Sequence, residues 1–134
     1  MQDRPTIAEL LDAVRGFLEA DAIDALEGTA KFHARVAANV LAIAARELAL
    51  EGEQLAAEWQ RLDALVGAVP MPADVAAQRQ GVRDRTEVLC ERIRRGDGDD
   101  GPFRAAVLAH VRATVCEKLA VANPKLLAAE SARR

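Results

Sequence analysis

Apolar and polar positions alternate with a period near 3.6 residues along most of the chain, and no stretch shows the period of two that a half-buried strand requires. The pattern predicts about five helices. Thr6 and Glu9 have the Thr-x-x-Glu spacing of a capping box. They open a first helix with Leu10, Leu11, Val14, Phe17 and Leu18 on one face and Glu9, Asp12, Arg15 and Glu19 on the other. Ile23 and Leu26, ahead of Gly28, either continue this helix or form a short extra turn.

Residues 29–50 contain neither Gly nor Pro, and Gly52 follows as a stop, so the longest helix is expected here and at the centre of the bundle. Steps of about 100° per residue place Val36, Ala37, Val40, Ile43, Ala44 and Leu48 on one arc, which Phe32 and Leu41 widen. That arc is too broad for a single packing partner. Lys31, Arg35, Asn39 and Arg46 make a narrow polar stripe opposite it, either plain surface or the lining of a groove.

A third helix over residues 53–66 buries Leu55, Trp59, Leu62 and Val66, and Pro70-Met71-Pro72 breaks the pattern because neither proline donates a backbone hydrogen bond. Asp74 caps a fourth helix with Val75, Val82, Leu89, Cys90 and Ile93 on one face, and Gly81 weakens its middle by about 1 kcal/mol relative to alanine. After the acidic loop 96–101, Pro102 suits the first turn of a last helix whose Phe103, Val107, Leu108, Val111, Val115 and Leu119 face inward. Asn123-Pro124 ends it, and a tail from about residue 128 is expected to be disordered.

Composition narrows the class. The 134 residues fit one domain, residues 1–134. Aromatics are only 3% and tyrosine is absent, so the core is aliphatic and alanine-rich, which favours close-packed helices over a sheet. The expected fold is therefore all-α, a single-domain helical bundle of about five helices around a long central second helix.

Charge and motifs exclude several functions. A net charge of -3 argues against a phosphate-neutralising surface for nucleic acid. The cluster Arg92, Arg94 and Arg95 runs into Asp97, Asp99 and Asp100 and reads as a helix end. No run reaches the roughly 18 apolar residues of a membrane span. The start lacks a signal-peptide pattern, and Cys90 and Cys116 lack CxxC spacing, so the reducing cytoplasm is the expected compartment. The only serine, Ser131, lies in the tail, and the two cysteines read as small buried hydrophobes. His33 and His110 lack metal-ligand partners at helical spacing, and neither GxGxxG nor GxxxxGK[ST] occurs. No catalytic residue, metal or cofactor is assigned.

What remains is a set of polar residues at positions where periodicity calls for apolar ones. Glu47 and His33 lie on the apolar arc of the second helix, and Lys118 on that of the last. A buried charge needs a partner, so Glu47 is expected to pair with Lys118 or an arginine where helices cross. Alternatively His33, Arg35, Asn39, Arg46, Glu47, Lys118 and Asn123 line a polar pocket in which a Glu serves as general base or orients an acyl or phosphorylated metabolite.

Arg4-Pro5-Thr6 with Glu9-Leu10-Leu11, the stretch from Phe32 to Asn39, Arg46-Glu47-Leu48, Leu89-Cys90-Glu91-Arg92-Ile93, and Leu119-Ala120-Val121 before Asn123-Pro124-Lys125 give the chain its signature. In these it resembles a bacterial family of small helical proteins of unknown function. Genes of that family often lie beside those of aminoglycoside-phosphotransferase-like kinases and acyl-CoA dehydrogenases. The resemblance implies an accessory protein with such a kinase or dehydrogenase as partner, near acyl-CoA or alcohol catabolism. It assigns no catalytic residues. Self-association as a homodimer is expected from the prevalence of symmetric dimers among soluble proteins.

Overall fold

The computed structural model describes residues 4–132, and among these every regular element is helical. Helix α1 is Ile7–Phe17, a π-helical turn spans Leu18–Ala22, and a single turn, α2, covers Ile23–Ala25. The long α3 is Gly28–Val66, followed by α4 at Val75–Arg94, α5 at Gly101–Ala122 and α6 at Pro124–Ser131. The all-α class is as the periodicity predicts.

Local chemistry sets the ends. The Thr6 hydroxyl accepts from the Glu9 amide at 3.2 Å while the Thr6 amide donates to Glu9 Oε2 at 2.7 Å, completing the capping box. The π turn is closed by the Ile23 amide donating to the Leu18 carbonyl, five residues back. Asp74 caps α4 by accepting from the Ala77 amide at 2.8 Å.

The expected second and third helices are one. Gly52 sits inside α3 without interrupting it, because a glycine stops a helix by turning left-handed and this one does not. Gly67 does so, with φ at 101°, and α3 ends there. The tail also differs from expectation. Asn123 Oδ1 accepts from the Leu126 amide at 3.2 Å and Pro124 starts α6, so the backbone stays helical to Ser131.

The chain forms two compact units, residues 1–50 and 51–134. In the first, α1 has no buried residue, and the deepest positions are the small Ala34 and Ala38 of α3. Leu11, Arg15 and Leu18 are half-buried, whereas Ile7, Leu10, Val14 and Phe17 lie open, so the expected apolar seam of α1 is split. Lys31 Nζ lies 3.7 Å from Asp24 across the turn at Leu26 and Glu27. In the second unit, Leu62, Leu65, Leu89 and Val107 form the core, with Val66, Val82 and Phe103 packed against it.

Candidate functional site

The residues singled out by periodicity are not interior. His33, Arg35, Asn39 and Glu47 are exposed, Arg46 is half-buried, and Lys118 and Asn123 are exposed. The expectation that Glu47, His33 and Lys118 point into the protein is therefore corrected, and with it the enclosed polar pocket they were to line. Alanine explains the first half of α3. Ala34 and Ala38 are the buried positions, while Phe32, Val36 and Val40, on a different side, stay open. Periodicity ranks faces by residue hydrophobicity, but a face of small side chains allows closer helix approach. Asn123 has a structural role as the α6 cap.

One set of sheltered polar groups in the second unit lies between α3 and α5. Arg61 directs its two terminal nitrogens at the two carboxylate oxygens of Glu117, at 2.8 and 2.5 Å, a bidentate pair. Gln54 Nε2 donates to the Glu117 backbone carbonyl at 3.2 Å, and Thr114 Oγ1 donates to Glu58 at 3.5 Å. His110 is 6% exposed, and its Nδ1 and the Nε of Arg61 are buried without a hydrogen-bond partner. Burial holds the His110 pKa below its ordinary value. The Glu58 and Glu117 carboxylates work against that shift, and Arg61 reinforces it. With His110 enclosed between α3 and α5, the seam reads as packing chemistry.

A second seam joins α3 to α4. The buried Arg85 donates to Asp63 Oδ1 at 2.6 Å and to the Gly67 carbonyl at 2.8 Å, and its guanidinium lies 4.7 Å from the ring centre of Trp59. Trp59 Nε1 in turn donates to the Val69 carbonyl at 3.1 Å, tying down the proline loop. Arg92 donates to the Leu65 carbonyl and to Asp97, and stacks 4.1 Å over Phe103. The arginine cluster is a helix end, as expected, with one member turned inward.

These seams carry a sequence signal that apolar periodicity misses. Gln54, Glu58 and Arg61 stand at i, i+4 and i+7, and so do His110, Thr114 and Glu117. Two polar triplets at the same helical spacing mark facing stripes.

Their pairing rotates part of α5: Phe103, Val107 and Leu119 lie inward as expected, but other positions do not. Val107, His110 and Val121 are buried, while Leu108, Val111 and Val115, expected inward, are exposed. Cys116, expected buried, is exposed as well, and Cys90 is half-buried; both are free thiols. The outer side of α5 is thus mainly apolar, with Arg104, Arg112 and Lys118 as its exposed cations. Ala105, Leu108, Ala109, Arg112 and Ala113 line an open hollow of about 460 Å³ on it.

Among the described residues no cluster of three or more His, Cys, Asp or Glu is placed to hold a metal ion, and no helix is long and apolar enough to cross a membrane. A family model described as a domain of unknown function, DUF6285, matches residues 24–126. No curated protein and no solved structure matches the chain.

Proposed function

We propose that this chain, which belongs to the DUF6285 family, is a non-catalytic accessory protein that holds a partner protein through the outer side of α5. The observation that carries the reading is the exposure of three apolar residues expected on the inner face of that helix. Thr114 and Glu117 are bonded to α3, and Leu108, Val111 and Val115 are left in water at about half exposure. A helix apolar on two sides is ordinarily covered on both. Arg104, Arg112 and Lys118 beside the apolar strip select the occupant, an amphipathic helix whose apolar stripe is flanked by Asp or Glu.

The family resemblance makes a phosphotransferase-like kinase the first partner to try and an acyl-CoA dehydrogenase the second. The test is co-elution of purified chain and purified partner at micromolar concentration. The wild type is expected to associate, and Leu108→Glu and Arg112→Glu to release the partner. Absence of association with either enzyme, or binding indifferent to both substitutions, defeats the proposal.

A further inference from the structure

We infer that the first unit is half of a symmetric dimer, and that a second copy of this chain covers its open faces. This inference uses a surface separate from the α5 face and does not rest on it.

The first unit lacks a core of its own. Its deepest residues are two alanines, and α1 buries nothing completely. Two helices joined by a short turn bury too little apolar surface to be stable as a bare hairpin. What a core needs is present but faces outward. Ile7, Leu10, Val14 and Phe17 stand at i, i+3, i+7 and i+10 of α1, the spacing of a coiled-coil seam. Phe32, Val36 and Val40 form a second strip at i, i+4 and i+8 of α3. Each of these seven side chains is between 44% and 66% exposed.

Size and charge identify the occupant. Together the seven residues expose on the order of 700 Å², close to the roughly 800 Å² per partner of a standard stable interface. The chain ahead of the turn and the first half of α3 carry opposite charge. Residues 7–27 hold Glu9, Asp12, Glu19, Asp21, Asp24 and Glu27 against Arg15 alone, whereas residues 28–46 hold Lys31, Arg35 and Arg46 and no acid. A two-fold axis that lays the stretch 7–27 of one copy beside the first half of α3 of the other sets an acidic segment against a basic one twice and closes four helices around one core. Arg35 and Asn39, which neighbour the Phe32–Val36–Val40 strip in sequence and are exposed, then belong to the rim of that interface.

The test is the mass of the full chain in solution by light scattering and sedimentation between 1 and 200 µM, ~two decades that bracket a low-micromolar Kd. The wild type is expected to run at twice the chain mass. Val14→Glu on α1 and Val40→Lys on α3 are each expected to weaken the dimer at least tenfold, with emission of the only tryptophan, Trp59 in the second unit, unchanged. Leu108→Glu is expected to stay dimeric, which separates this interface from the α5 face. A wild type that is monomeric throughout overturns the inference, because the strips then belong to some other protein. A dimer that survives both Val14→Glu and Val40→Lys, or that Leu108→Glu abolishes, overturns it equally. Should Val14→Glu lose helicity, Val40→Lys on the other helix decides.

Discussion

A Cβ built on Gly81 would lie 2.7 Å from Cζ3 and 2.8 Å from Cη2 of the Trp59 ring. The indole lies directly on the backbone of α4, and one turn further on the Arg85 guanidinium stacks against the same ring. From periodicity alone Gly81 is a weak point in its helix; in the structure it is a point of close approach between α3 and α4.

Gly81→Ala is therefore expected to destabilise the protein, although alanine is the better helix former by about 1 kcal/mol. Overpacking against a buried aromatic ring costs about 1–3 kcal/mol. Urea unfolding followed by Trp59 emission gives the sign. A variant more stable than the wild type would show that the ring moves aside without cost.

Arg85→Met is expected to cost about 3 kcal/mol, because it leaves the Gly67 carbonyl without its donor and Asp63 with the Val69 amide at 3.4 Å in place of an ion pair. Asp63→Asn should cost less, since Arg85 keeps two backbone carbonyls, those of Gly67 and Trp59. The order of the two denaturation midpoints is the check, and the reverse order would refute this account of the cluster.

His110 gives a pH dependence with a definite sign. Its folded-state pKa lies below the ordinary imidazole value of about 6.5, so the unfolded chain binds the proton more readily. The contribution of neutral His110 is whole above that value. It is lost as pH falls from about 6.5 toward the depressed folded-state pKa. Comparing unfolding free energies at pH 7.5 and pH 5.5 for wild type and His110→Gln should show a steeper acid loss in the wild type. Parallel slopes would mean that His110 titrates alike in both states.

At the start of the chain, Thr6→Ala removes one of the two reciprocal hydrogen bonds of the α1 cap and is expected to cost about 1 kcal/mol locally. Faster amide exchange at Glu9 and Leu10, with no change around Leu62, is the predicted signature.

How far the sequence discloses this protein depends on the kind of signal. Cap and break positions are chemical and local, so Thr6, Asp74, the proline loop and Asn123 are legible at once. Gly52 misleads because composition does not reveal φ: the same residue type stops a helix only where the backbone turns left-handed, as at Gly67. The inward side of α5 misleads for another reason. Leu108, Val111 and Val115 outrank His110, Thr114 and Glu117 in hydrophobicity, but a bidentate ion pair with Arg61 on the facing helix reverses the ranking. Such pairing is a property of two segments about 50 residues apart, visible only when their stripes are compared. In α3, small Ala34 and Ala38 take the deep positions, and Glu47 and His33 stay in water for that reason.

The wide turn at Leu18–Ala22 closes one residue later than an ordinary helical turn. Its extra residue acts as a phase shifter: everything downstream is rotated by about 100° relative to an uninterrupted helix. Deleting one residue from that turn would leave the composition nearly untouched and the helix more regular. It would nonetheless swing Asp24 away from Lys31 and turn Ile23 from its half-sheltered position, so the hairpin's geometry is tuned here by chain length more than by residue type.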